Sequence, residues 1–368
     1  MSHQSSWKIR LFSFAVFSAM VFGCSPENQT KAPDNLIALW NTRFNAGHIV
    51  LQKITGIAYN PSDSSATIIF EPVSTGEANL FKLSYDPKRA IGDQLKVDIS
   101  SISNGSLSQI RISPSGKYMA ISGKTRELFL LKNLQGFAKF DSDDEITQME
   151  FGGNNENILV VGDRKGKVTL IDLEKGVILN SVQLFDNAVT SLAFYKENHV
   201  LVAGIDPRII QLDIMSGKTA RTIYTQGLKE KILHATGLKH CHKERINQVL
   251  YVESQDKIVT AHGWDYCQDI RVAVWDPASG SLVKEIRQIK HPVFHMVWVS
   301  KLDTLVLADH DRNLWKLSLG DYKLSRPIHL PQSLLYFTSP DKSEQVPVLL
   351  GHVQSLNTIP GTNLVLIA

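Results

Sequence analysis

The sequence predicts an all-β fold built from repeated small antiparallel sheets, and three observations predict it. Short runs alternate apolar and polar residues with the period of a half-buried strand, and clusters of Ser, Pro, Gly, Asn and Asp separate them. The same order of runs and turns returns at spacings of roughly 40 to 57 residues, beginning near Ile54, Leu107, Ile146, Val189, Ile246 and Val293. With 368 residues, 43% of them hydrophobic and 20% charged, the chain has the apolar material for a large core and not the composition of a disordered one.

Each repeat opens with an alternating strand: QIRIS from Gln109, QMEF from Gln148, SLAF from Ser191, QVLYV from Gln248 and HMVWV from His295. A polar turn follows, as in SPSGK (Ser113–Lys117), GGNNEN (Gly152–Asn157), YKEN (Tyr195–Asn198), ESQDK (Glu253–Lys257) and SKLD (Ser300–Asp303). A second, more continuously apolar strand comes next (YMAIS, ILVVG, VLVAG, IVTAH, LVLAD), and then a third (LFLLKN, VTLIDL, IIQLDI, VAVWDP, LWKLSL).

The copy that begins at Ile246, INQVLYVESQDKIVTAHGWDYCQDIRVAVWDPASGSLVKEI, resembles a WD40 repeat. Trp275-Asp276 stands as its signature dipeptide, His242 lies four residues before Ile246 where that family carries a loop histidine, and Asp269 occupies the turn before the third strand. The resemblance implies a β-propeller and a buried hydrogen-bonded network of His242, Asp269 and Trp275 that pins the blade. Ile171-Asp172, Leu212-Asp213 and Trp315-Lys316 are expected where the other repeats would place Trp-Asp.

The C-terminal stretch GHVQSLNTIPGTNLVLIA supplies only two strands of a further blade. Asn35 to Lys53 overlays the second half of the clear copy, Leu39-Trp40-Asn41 falling under Val274-Trp275-Asp276. The expectation is therefore a seven-bladed WD40-like propeller over residues 34–368, closed by N- and C-terminal strands that share one blade and leave no open sheet edge.

Lys8 and Arg10 precede an apolar run from Leu11 to Phe22, shorter than the ~20 residues that span a bilayer, which is the pattern of a secretory leader. Val21-Phe22-Gly23-Cys24 resembles the bacterial lipobox, with Phe22 larger than usual there. That resemblance implies a lipoprotein signal peptide over residues 1–23, acylation of Cys24 and a flexible tether over 24–33. Plain cleaved secretion and an uncleaved anchor are the alternatives. Ser25 after the cysteine implies sorting to the outer membrane, facing the periplasm.

With Cys24 acylated, Cys241 and Cys267 remain, and the repeat resemblance places both on one face of the fifth blade. A disulfide over a loop of about 26 residues is expected, worth about 3 kcal/mol. Free thiols, or a metal cluster drawn from His234, His240, Cys241, His242, His262 and Cys267, are the other readings. No metal or cofactor is expected, because the spacing matches no ligand motif.

Gly-x-Ser-x-Gly, His-Glu-x-x-His, P-loop and Gly-x-Gly-x-x-Gly motifs are absent, so an enzyme is not expected. The net charge of +3, about +1 once Lys8 and Arg10 leave with the leader, gives no footprint for nucleic acid. Asp163-Arg164 and Asp206-Pro207-Arg208 read as turn-holding pairs. The connection from Pro331 to Leu350 contains Leu334, Leu335, Tyr336 and Phe337, a quartet without a strand role in the repeat scheme that either folds back on the ring or anchors a partner. The expected function is an envelope-anchored platform that binds other envelope proteins, with no small-molecule substrate identified; a periplasmic enzyme, or a propeller that binds a small ligand or metal, is the alternative.

Overall fold

A computed structural model of the chain describes residues 20–23, 37–38, 52–60, 62, 65–72, 79–84, 94–97, 107–123, 126–133, 135–152, 156–196, 198–225, 245–264, 267–329, 334–338, 345–349, 353, 356–358 and 364–367. Strands β1 (Met20–Gly23) and β2 (Ile37–Ala38) come first. Sheet 1 is the meander β3 (Gln52–Asn60), β4 (Ser65–Pro72), β5 (Asn79–Ser84), β6 (Gln94–Val97). Sheet 2 is β7 (Leu107–Ile112), β8 (Tyr118–Gly123), β9 (Glu127–Lys132), β10 (Gln135–Asp141), and sheet 3 is β11 (Ile146–Gly152), β12 (Ile158–Asp163), β13 (Lys167–Asp172), β14 (Val177–Gln183). Sheet 4 is β15 (Val189–Tyr195), β16 (His199–Gly204), β17 (Asp206–Asp213), β18 (Thr219–Tyr224), and sheet 5 is β19 (Ile246–Val252), β20 (Lys257–Trp264), β21 (Cys267–Trp275), β22 (Leu282–Ile286). Sheet 6 is β23 (Val293–Val299), β24 (Thr304–Asp309), β25 (Asn313–Ser318), β26 (Ile328–His329). The chain continues through β27 (Leu334–Thr338), β28 (Gln345–Leu349), β29 (Leu356–Thr358) and β30 (Leu364–Ile367). The fold is all-β and propeller-like: sequential antiparallel four-stranded sheets whose first strands lie side by side from β3 to β23.

Burial explains why each strand has its composition. Second strands sit in mid-sheet with a neighbouring sheet on either face, so β8 and β12 are buried at every position and read as continuous apolar runs. First strand β11 is buried on one face, with Ile146, Met149 and Phe151 inward, whereas β15 is buried at all but one position. Fourth strands are outermost, and β10 and β14 are largely exposed. The core consists of the layers between sheets. Leu159, Val161 and Ile171 pack on Tyr118, Leu128 and Leu130, and Ile246, Val249 and Trp275 pack on Leu201, Ile209 and Ile223. Each fully buried Leu, Ile or Val side chain contributes about 1.5–3 kcal/mol.

Two local devices repeat. Every first strand of sheets 1 to 6 carries a bulge at its start, between Ile54 and Gly56, Leu107 and Gln109, Ile146 and Gln148, Val189 and Ser191, Ile246 and Gln248, and Val293 and His295. The turn into the fourth strand is built from an aspartate and a glycine four residues on. Asp172, Asp213 and Asp276 accept backbone N–H groups of Lys175, Ser216 and Ser279, and Gly176, Gly217 and Gly280 close the turn at φ 64°, 64° and 69°.

Two expectations are corrected here. The strand paired with β30 is β1, Met20–Gly23, with Ile37–Ala38 outside it, whereas residues 35–53 with Leu39-Trp40-Asn41 were expected beside it. Gln52 and Lys53 instead begin β3. Leu334, Leu335, Tyr336 and Phe337 lie in β27, which pairs with β28 in a two-stranded hairpin outside the repeated sheets. In sheet 6 the partner of Leu305 is Leu317, as Trp275 is the partner of Ile258, so Leu317-Ser318 and not Trp315-Lys316 stands in the Trp-Asp register.

Candidate functional site

The bulged first strands form a stitched belt. In sheets 3, 4 and 5 the residue freed by the bulge turns its side chain to the next sheet: the Thr147 hydroxyl donates to the Val189 carbonyl (2.7 Å), Thr190 to that of Ile246 (2.5 Å), and the Asn247 amide to that of Val293 (3.0 Å). One position further, Gln109 donates to the Ile146 and Thr147 carbonyls, Ser191 accepts the Val249 N–H and Gln248 donates to the Met296 carbonyl. The belt satisfies backbone groups that a bulged strand leaves unpaired.

Sheet 5 encloses a polar core. The Trp275 indole N–H donates to the Thr260 hydroxyl (2.8 Å), which lies 2.7 Å from His262 Nε2, and all three side chains are buried. The hydroxyl oxygen accepts the indole N–H and shares a second hydrogen bond with Nε2, whose direction follows the imidazole tautomer. Burial, with the charges of Arg271 and Arg287, holds the His262 pKa well below the usual histidine value, so the ring is neutral. Nδ1 of His262 and Oδ1 of Asn247 are buried without a hydrogen-bond partner among the described residues. Arg271 pairs with Glu285 at 3.0 Å and reaches the Thr225 carbonyl of sheet 4 at 2.7 Å.

His262 bonds Thr260; His242, expected in a network with Asp269 and Trp275, lies outside the described residues, as do Cys241 and Cys24. Asp269 and Cys267 are strand residues of β21, the latter opposite Trp264, and their side chains lie outside the described residues. Opposite the first residue of strands β11, β19 and β23 stand Asp163, His262 and Asp309, so the histidine occupies a position that is aspartate in two other sheets. Asp163 accepts the Lys165 and Lys167 N–H groups, and Asp309 accepts those of Asp311 and Asn313 together with the Trp315 indole. Asp206 holds Arg208 through both carboxylate oxygens at 2.7 Å.

At the same end of sheets 5 and 6 an aromatic ladder is partly exposed. The Arg245 guanidinium lies 4.4 Å from the Trp264 ring centre, Trp264 meets Phe294 edge to face at 5.7 Å, and Phe294 meets His310 at 5.7 Å. Phe294 fills the bulge position that carries Thr or Asn in sheets 3, 4 and 5.

A second group of ionisable residues lines the first strands. Arg111 and Glu150 occupy equivalent positions of β7 and β11, and His295 lies on β23. Burial pushes the Glu150 carboxyl up to about 7 against the pull of Arg111, and pulls His295 down to about 4, with Arg111 adding to the fall and the Val353 backbone opposing it. A carboxyl that titrates near neutrality beside an arginine can exchange protons or hold a polar ligand. Among the described residues no group of three or more His, Cys, Asp or Glu is placed to hold a metal ion, and no helix is long and apolar enough to cross a membrane.

The pH dependence has a definite sign. Glu150 has a folded-state pKa above its reference of 4.5, so its ionisation favours unfolding and stability falls as pH rises from there through about 7. His295 and His262 act oppositely: neutral in the fold, they cost stability as pH falls below 6.5, His295 down through about 4. Glu150→Gln is expected to abolish the loss between about pH 5 and pH 7.5 and to leave the acid limb unchanged, read from urea midpoints across that range. An unaltered neutral slope would remove Glu150 from this role.

Neither a protein-family model nor a curated protein matches the chain. The belt residues were missed from sequence, although aligning the repeats exposes Thr147, Thr190 and Asn247, each one position after the repeat's first residue.

Proposed function

We propose that the chain is an envelope-anchored, WD40-like seven-bladed propeller that serves as a platform for other envelope proteins. The observation that carries the platform reading is where apolar surface is exposed. Among the described residues Phe137, Val177, Ile178, Leu179, Met215, Tyr224, Leu282, Val283 and Ile328 are the exposed large hydrophobics, and every one lies on an outermost strand or the turn entering it. Apolar side chains confined to the rim of a rigid body are what a protein-binding surface requires.

Ring closure is supported by the adjacency of β29 to β23 on one side and to β3 on the other, and by the pairing of β30 with β1. Cleavage before Cys24 would carry β1 away with the leader and free the edge of β30. The Leu39-Trp40-Asn41 segment would then take that place, which reconciles the lipobox with a shared blade. Acylated Cys24 would hold the ring at the outer membrane through the polar residues that follow it.

The test is affinity capture of the acylated protein from gently solubilised membranes, with mass spectrometry of its N-terminus. A diacylglyceryl-modified Cys24 and stoichiometric protein partners are the expected result. An unprocessed Met1, or a protein recovered alone, overturns the anchoring or the platform respectively. The Arg111, Glu150 and His295 group favours a second reading, a small polar ligand held by the first strands, and a bound metabolite in the captured protein would favour it.

A further inference from the structure

We infer that strand β14 is a self-association edge through which two copies of this chain pair antiparallel about a twofold axis. The inference deepens the reading of the rim as a protein-binding surface and rests on it. Among the described residues sheet 3 ends at β14, which pairs there with β13 alone through a ladder with one bulge. The Ser181 N–H is taken by Asn180 Oδ1, and the other backbone groups of its outer edge are of the kind that invites another strand.

The other outermost strands of sheets 2 to 6 carry charge or are too short to pair. Strand β10 has Lys139 and Asp141, β18 has Arg221, β22 has Lys284 and Glu285, and β26 is two residues long. Strand β14, VILNSVQ, runs for seven residues without a charge and opens with the exposed Val177, Ile178 and Leu179. Met215 of the neighbouring sheet, 79% exposed, extends the apolar patch, since Asn180 donates to the Ser216 carbonyl at 3.1 Å and fixes that turn against β14.

The charge pattern selects a second copy as the occupant. A twofold contact sets each strand against itself, so any charged residue near the axis meets its own like charge. Among these outer strands only β14 is both long and free of that repulsion.

Sedimentation of the full chain in mild detergent, with amide hydrogen exchange over 177–183, tests this. The expected result is a monomer–dimer equilibrium in which exchange over 177–183 slows as concentration rises. Ile178→Lys is expected to raise the dissociation constant at least roughly tenfold by placing two cations across the axis. Leu282→Lys, a rim substitution on a strand that already carries charge, should leave it unchanged. A monomer at every concentration overturns the inference, as does a dimer indifferent to Ile178→Lys or equally sensitive to Leu282→Lys. Should the chain stay monomeric while Ile178→Lys abolishes capture of an envelope protein, the rim reading stands and self-pairing falls. If Ile178→Lys unfolds the sheet, the concentration dependence of exchange in the unmodified chain decides alone.

Discussion

Thr260→Val is expected to destabilise the fold by about 2–4 kcal/mol, although it changes one hydroxyl for one methyl. The hydroxyl is completely buried and serves two partners, accepting from the Trp275 indole at 2.8 Å and bonding His262 Nε2 at 2.7 Å. Valine fills the same space, so no cavity forms, but a buried indole N–H and a buried imidazole nitrogen both lose their partner at about 1–3 kcal/mol each. Water cannot replace the bond where Trp275 seals the layer between sheets 4 and 5. Thr260→Ser keeps the hydroxyl and should cost about 1 kcal/mol from the missing methyl. Chemical denaturation of the two variants side by side separates the readings, since equal losses would show that packing and not the hydrogen bond is what matters.

This network shows what a sequence can and cannot disclose. Trp275 stands out because a large aromatic followed by aspartate before a Pro-Ala-Ser-Gly turn is a strong local pattern. Its partner is hidden, since nothing in the one-dimensional pattern separates a histidine at the end of a strand from one in the preceding loop. Only the pairing of Ile246 with His262 brings that ring to Thr260. First, second and third strands were readable because burial on one or both faces imposes alternation or continuous apolarity. Fourth strands were not, because exposed outer strands such as QGFAKFD and TARTIY are under no such constraint. The Leu334–Phe337 quartet showed no strand pairing in the sequence because an apolar run outside the repeat grammar has no register until β28 pairs with it. Trp315 lay two residues from the expected register because an indole signals burial but not which rung of the ladder it occupies.

Gly166→Ala is expected to cost at least about 3 kcal/mol, and Gly176→Ala only about 1 kcal/mol. Both glycines sit in the left-handed region, at φ 85° and 64°, where any residue with a Cβ is strained by about 1–2 kcal/mol. What separates them is the space beside the backbone. A Cβ on Gly166 would stand 2.3 Å from the Phe185 carbonyl oxygen and 2.5 Å from that of Asn187, whereas one on Gly176 meets nothing within 4 Å. Those carbonyls belong to the connection from sheet 3 to sheet 4, and the Leu184 and Phe185 N–H groups donate to the Gly166 carbonyl. The backbone there is held from both sides and cannot retreat without breaking bonds. Because Phe185 is buried between sheets 3 and 4, displacing it would also loosen the layer that Val189 and Ile210 share. Thermal unfolding of the two variants provides the measurement. A loss at Gly166 no larger than at Gly176 would mean that the connection yields, and that the contact between these sheets is far softer than its packing implies.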